Sequence, residues 1–224
     1  MKNPTPSSWS AMDDYITSHL VPADPILSAA LQTSDDANLP EIQVAPSHGK
    51  LLQVLARGCG ARRILEVGTL GGYSTIWLGR ALPADGHLVT LEIDPKHAEV
   101  ARTNLARAGL ADRAEVRVGA ALDLLPALAN EKPAPFDVSF IDANKDNAPE
   151  YFDWAVKLSR PGALVIVDNV VREGAVADPS CRDPYGLGIR RLYEAVGRDT
   201  RVTATAIQTL AGKGYDGMLI ATVN

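Results

Sequence analysis

Four oxygen-bearing side chains stand at the ends of apolar, β-rich runs: Glu92 in HLVTLEI, Asp142 closing FDVSFID, and the adjacent Asp168 and Asn169 closing ALVIVDN. An acid at the end of a strand in an α/β nucleotide fold is placed to accept hydrogen bonds from ribose hydroxyls, so Glu92 points to an adenosine-containing ligand. Asp94 competes for that role. It stands directly before Pro95, however, and reads at least as well as a helix cap. Asp142, Asp168 and Asn169, if their strands are neighbours, converge as an oxygen-rich set suited to a hard cation such as Mg²⁺, with Mn²⁺ or Ca²⁺ as alternatives. Taken singly, each aspartate could equally be a cap or a turn residue. Lys145, three residues beyond Asp142, reads locally as a solvated loop lysine; beside a bound cation, a lysine gives up its proton more easily and could serve as a base toward a hydroxyl. Zinc is disfavoured, because the histidines (His19, His48, His87, His97) are scattered and Cys59 and Cys181 do not pair with them.

A second chemical feature precedes these strand ends. The stretch Glu66 to Ser74 reads EVGTLGGYS and leads from a strand into a helix. Glycine lets the backbone approach a ligand closely, and the helix N-terminus offers unpaired N–H donors. A dinucleotide fingerprint requires G-x-G-x-x-G, whereas from Gly68 the chain reads GTLGGY, which weakens a nicotinamide reading. The glycines could also serve only the tight turn.

Positioning these groups requires alternating strands and helices, and the chain has that pattern. Strands are expected at 64–68, 87–93, 114–119, 136–143 and 163–169, with helical spacing between them, for example from Pro95 to Ala108. This implies a parallel sheet covered on both faces, with ligand sites at the carboxyl ends of its strands. The runs 201–210 and 215–223 are separated only by Ala-Gly-Lys-Gly, which favours an antiparallel hairpin. Ahead of the sheet, helices are expected at 10–20, 26–32 and 47–57.

Bulk properties narrow the classes. A chain of 224 residues, 46% hydrophobic, buries one sizeable core and is short for two domains. The 22 basic and 27 acidic residues leave a net charge of −5, without a basic run to track a phosphate backbone, so nucleic acid is not an expected partner. Two distant cysteines fit a reducing cytoplasm. Neither a signal peptide nor a membrane-spanning run is expected.

The segments ILEVGTLGGYST, VTLEIDPKHAEVA, FIDANKDN, LVIVDNV and GKGYDGMLIA, in this order, resemble the caffeoyl-coenzyme A and catechol O-methyltransferase family, in its short bacterial form, from about Asp14 to the end. The resemblance implies an α/β, Rossmann-like, seven-stranded, mostly parallel sheet with helices on both faces and the C-terminal hairpin, in a single domain with residues 1–60 as a helical cap and 61–224 as the core. It implies S-adenosylmethionine as cofactor, held by Val44 over the methionine end, Glu66, Gly68, Tyr73, Ser74, Glu92 and Asp142, with Ala120 near the adenine. It makes Asp142, Asp168 and Asn169 ligands of a divalent cation and Lys145 the base that deprotonates a phenolic, catechol-like acceptor. Asn144, where many relatives carry Asp, departs from the pattern, and the variable stretch 171–186 is expected to border the acceptor. A homodimer is expected, partly from apolar residues on the N-terminal helices: Trp9, Tyr15, Ile16, Leu20 and Leu27. The competing readings are a protein or RNA methyltransferase, an NAD-type oxidoreductase and a non-catalytic binding module.

Overall fold

Proline sets where most helices begin. Its fixed φ suits the first helical position, and its missing N–H costs nothing there. In the computed structural model, which describes residues 5–211 and 214–224, α1 (Pro6–Leu20), α2 (Pro25–Asp36), α3 (Pro46–Gly58), α5 (Pro95–Arg107) and α8 (Pro184–Val196) all start on proline. The others are α4 (Tyr73–Gly79), α6 (Ala121–Asn130) and α7 (Ala148–Leu158). Helix α1 begins four residues earlier than its apolar spacing predicts, because Thr5 and Ser8 form a capping box ahead of the amphipathic stretch.

The strands are β1 (Arg63–Val67), β2 (His87–Glu92), β3 (Ala114–Val118), β4 (Phe136–Ile141), β5 (Ser159–Asp168), β6 (Val202–Ala211) and β7 (Gly214–Val223). They form one seven-stranded sheet in the order β3-β2-β1-β4-β5-β7-β6. The first five are parallel, while β7 runs antiparallel to β5 and to β6. This is the expected α/β, Rossmann-like architecture with its C-terminal hairpin. The tip of the hairpin, 212–213, lies outside the described residues.

Alternating side chains send the sheet into two apolar layers. Leu65, Val67, Val89, Leu91, Val165 and Val167 pack under α6, α7 and α8. Ile64, Leu88, Val138, Phe140 and Ile166 pack under α2 to α5. Of the N-terminal apolar residues, Leu27 is consumed by the chain's own core, Trp9 and Ile16 are half-buried, and Tyr15 and Leu20 are exposed.

Strand order reverses between β1 and β4: β1 is followed outward by β2 on one side, and β4 by β5 on the other. A crevice opens at the carboxyl ends of strands at such a switch point. Here the backbones lie unusually close. Gly68 has φ +99°, and a Cβ there would overlap the carbonyl oxygen of Asp142. Hydrogen bonds continue the sheet past its strands, from Asp142 N–H to Val67 at 2.8 Å and from Gly68 N–H to Leu91 at 2.9 Å.

Candidate active site

A cavity of about 610 Å³ fills the crevice. Its lining includes Val44, Gly68, Tyr73, Ser74, Glu92, Ala120, Asp142, Lys145 and Asn169. A second cavity of about 310 Å³ shares Val44, Asp142 and Asn169 and adds Asp168, His48 and the hairpin residues Thr209, Leu210, Asp216 and Met218. Asp142 and Asn169 therefore stand where the two chambers meet. The structure gathers Val44, Gly68, Tyr73, Ser74, Glu92, Ala120, Asp142, Lys145, Asp168 and Asn169 around this pair of cavities, with Glu66 and Asp94 set apart.

Glu66 is fully buried and is not part of either cavity's wall. Its carboxylate accepts hydrogen bonds from Ser74 Oγ at 2.7 Å, Thr90 Oγ1 at 2.7 Å and Thr75 Oγ1. Burial pushes its pKa up to about 7, against these three hydroxyl donors. It ties β1 and β2 to the first turn of α4, and so supports Ser74 from behind.

Glu92 takes the opposite position, at the cavity surface. Its Oε2 accepts from the backbone N–H groups of Thr69 at 3.1 Å and Leu70 at 2.7 Å, and its Oε1 from Asp94 N–H at 3.0 Å. The glycine-rich loop is thereby fastened to the end of β2, including Leu70, which sits at φ +50°. Asp94 resolves as a helix cap: it accepts from Lys96 N–H at 2.7 Å and is absent from the cavity lining.

Across the switch point the balance of charge differs. Lys145 begins a short 3₁₀ turn (Lys145–Asn147) and is only 4% exposed, which excludes a solvated loop lysine. Its Nζ lies 2.7 Å from Asp142 Oδ1. Asp168 is 5% exposed, accepts from Asn169 N–H at 2.9 Å and lies 3.7 Å from His48 Nδ1. Burial, reinforced by the Asp142 carboxylate, raises its pKa to about 6, partly offset by His48 and Lys145. Asn169 adopts φ +56°, a left-handed conformation that asparagine tolerates better than most residues. Asp216 Oδ1 holds the chain that follows, accepting from Val171 N–H at 3.0 Å and Arg172 N–H at 2.9 Å.

This donor set fits a divalent cation. Two carboxylates face one lysine, one of them is buried with little hydrogen bonding, and a neighbouring amide supplies a third oxygen. Among the described residues no three of His, Cys, Asp and Glu gather as a metal cluster.

Several lining residues were not singled out in the sequence. His97, whose Nδ1 is 3.6 Å from Glu92 Oε1, faces the larger cavity from α5, and Tyr151 reaches it from α7, donating to Asn144 Oδ1. The position of His97 three residues after a capping Asp94 was a usable signal, since the first turn of that helix must overhang the end of β2. Tyr151 gives no local sign. From the stretch 171–186, Arg172 and Tyr185 line the larger cavity.

Comparison with known proteins agrees with this geometry. Residues 18–221 match the family model described as O-methyltransferase. A catechol O-methyltransferase of Niastella koreensis is 49% identical over 215 residues, covering 96% of this chain and 97% of that one. The crystal structure of an O-methyltransferase from Bacillus cereus in complex with SAH superposes with a TM-score of 0.96 at 54% identity, covering 98% of this chain and 100% of that one. That of TomG from Streptomyces achromogenes in complex with SAM gives 0.95 at 52% identity, covering 99% and 100%.

Proposed function

The chain belongs to the O-methyltransferase family and is an S-adenosylmethionine-dependent enzyme, and from that premise we propose that it methylates one hydroxyl of a catechol-like small molecule with the help of a divalent cation. The observation that carries this reading is the meeting of Asp142, Lys145 and Asn169 with the glycine-loop residues Gly68, Tyr73 and Ser74 in the wall of one cavity. Donor and acceptor machinery thus share a space.

On the cofactor side we assign Glu92 to the ribose hydroxyls, Ala120 to the adenine, Val44 to the methionine end, and Gly68, Tyr73, Ser74 and Asp142 to the remaining contacts. Glu66 acts through Ser74. On the other side we assign Asp142, Asp168 and Asn169 to a divalent cation, Mg²⁺ first. When bound, S-adenosylmethionine supplies a methyl group on a sulfonium, and the cation supplies charge that favours an ionised hydroxyl. Once it has given up its own extra proton, Lys145 Nζ, as the neutral amine, takes the proton of the attacking hydroxyl. The oxygen forms its bond to the methyl carbon as the carbon–sulfur bond breaks. Asp142 orients that amine at 2.7 Å. A vicinal diol suits a site with three oxygen ligands, because both of its oxygens can reach one cation.

The acceptor we propose is a small molecule, not a nucleic acid, which the net charge of −5 supports. No described helix is long and apolar enough to cross a membrane; a cytoplasmic location and a single domain, residues 1–60 capping 61–224, are part of the same reading. So is a homodimer, which the exposed Met12, Tyr15 and Leu20 of α1 support. The deciding experiment is a panel of phenolic acceptors assayed with S-adenosylmethionine, before and after chelation. Vicinal diols should turn over, chelation should abolish turnover and Mg²⁺ should restore it. Full-rate methylation of a catechol by rigorously metal-free protein would sink the cation assignment.

A further inference from the structure

Helix α8 meets the site in a stripe of residues three apart, which are neighbours on a helix surface. At its first turn Tyr185 lines the larger cavity, with the Arg172 guanidinium 5.3 Å from the centre of its ring. One turn on, Gly188 is buried against the backbone of the 3₁₀ turn that carries Lys145. A Cβ at Gly188 would overlap the carbonyl oxygen of Lys145 and come within 2.7 Å of the Cα of Asp146. One turn further, Arg191 donates a hydrogen bond to the carbonyl oxygen of Asp146.

A three-residue 3₁₀ turn is a weak support for a side chain that must be placed accurately. The turn here leans on something stiffer. Ile189 and Leu192, which follow Gly188 in the same helix, have no exposed surface and anchor α8 in the apolar layer beneath the sheet. The absence of a side chain at 188 is what lets this anchored helix touch the main chain of Lys145 and Asp146 directly. Any larger residue must push the turn away or move a helix held by the core.

We infer that Gly188 is a positioning residue for methyl transfer: by bringing α8 against the backbone of Lys145 and Asp146, and with Arg191 fastening the same turn, it fixes where the Lys145 amine stands beside the acceptor. This rests on the reading of Lys145 as the base. Because α8 also carries Tyr185, the helix that lines the acceptor side of the cavity is the one that sets the base.

The test is a double-mutant cycle with separate binding measurements. Gly188→Ala should lower kcat by about 10- to 100-fold, the cost of a displacement on the order of 1 Å. Affinity for S-adenosylmethionine, read by calorimetry, and KM for the acceptor should change much less. Combined with Lys145→Ala, the substitution should cause no further loss, because the group it positions is gone. Where Gly188→Ala does not fold, Arg191→Ala carries the same cycle, and Arg191→Lys should restore most of kcat. Losses that add to those of Lys145→Ala, or wild-type kcat in Gly188→Ala, would overturn the inference alone. A Lys145→Ala variant at wild-type kcat would overturn the base assignment and the inference with it.

Discussion

The two sides of the crevice are built on different principles. On the β1–β2 side, the acidic groups are satisfied within the protein: Glu92 accepts from three backbone N–H groups, and Glu66 from three hydroxyls. On the β4–β5 side, Asp168 accepts from one backbone N–H, lies 3.7 Å from His48 Nδ1, and shares its surroundings with Asp142 and Lys145. His48 Nε2, also buried there, has no partner among the described residues. A loop whose hydrogen bonds are already made holds its shape before ligand arrives. On the proposed reading, the second side, where two carboxylates share one lysine and one histidine, is completed only when a divalent cation joins it. On the cation reading proposed above, the first side is a mould and the second an incomplete coordination sphere, and substitutions on the two should fail differently.

The largest effect should come from the incomplete side. Asp168→Ala should lower turnover to that of chelated protein while leaving S-adenosylmethionine affinity intact; turnover that persists, measured with saturating Mg²⁺, would show that this carboxylate is dispensable. Next, Lys145→Ala should cost about 10² to 10⁴ in kcat, the range for loss of a general base, with cofactor binding nearly unchanged. Raising the pH should partly rescue it, since more of the acceptor ionises unaided. If the variant instead loses metal, read by titration with Mn²⁺, Lys145 organises the cluster and another base must be found.

On the moulded side the effects are smaller and fall on binding. Glu92→Ala should weaken S-adenosylmethionine by about 1 to 3 kcal/mol, as expected for a charged hydrogen-bonding group. Because its carboxylate also fastens Thr69 and Leu70, Glu92→Gln, which keeps one acceptor oxygen, should recover part of that affinity. Equal affinities for both variants in calorimetry would detach the loop from the binding energy. The smallest effect on turnover belongs to Glu66→Gln, which bears on stability. The folded pKa of Glu66, about 7, lies above its ordinary 4.5, so between these values the folded state holds more protons than the unfolded state. Its contribution is fully present below pH 4.5 and is lost as pH rises through 7. One proton limits the slope to about 1.4 kcal/mol per pH unit. Denaturant unfolding across that range should show a flatter profile for Glu66→Gln than for wild type; identical profiles would mean that Glu66 does not retain its proton on folding.

The same contrast governs how much could be read from the sequence. Strand ends are local features, and Glu92, Asp142, Asp168 and Asn169 were legible because each closes an apolar run. Their convergence follows from the parallel sheet, and the structure places them as that topology requires. Glu66 stands one residue before the end of β1, yet it is held away from the cavity by hydroxyls on α4 and β2, and the capture depends on three residues from two other elements. The second chamber needs the hairpin folded back beside β5, so the contribution of Asp216 has no local trace. Asp94 and Lys145 were ambiguous in opposite senses. One became a cap and the other a buried side chain, and only burial separates those outcomes.

The close passage of Gly68 against the carbonyl of Asp142 has a consequence for redesign. Methyl transfer tolerates little slack between donor carbon and acceptor oxygen, and on the proposed reading that gap would be set by this joint of main chain on main chain, with no side chain to adjust it. The stretch 171–186, which on the proposed reading borders the acceptor, lies outside the joint. On that reading it can be altered to change the acceptor while the Gly68–Asp142 contact, and the reach it sets, stays fixed by the sheet.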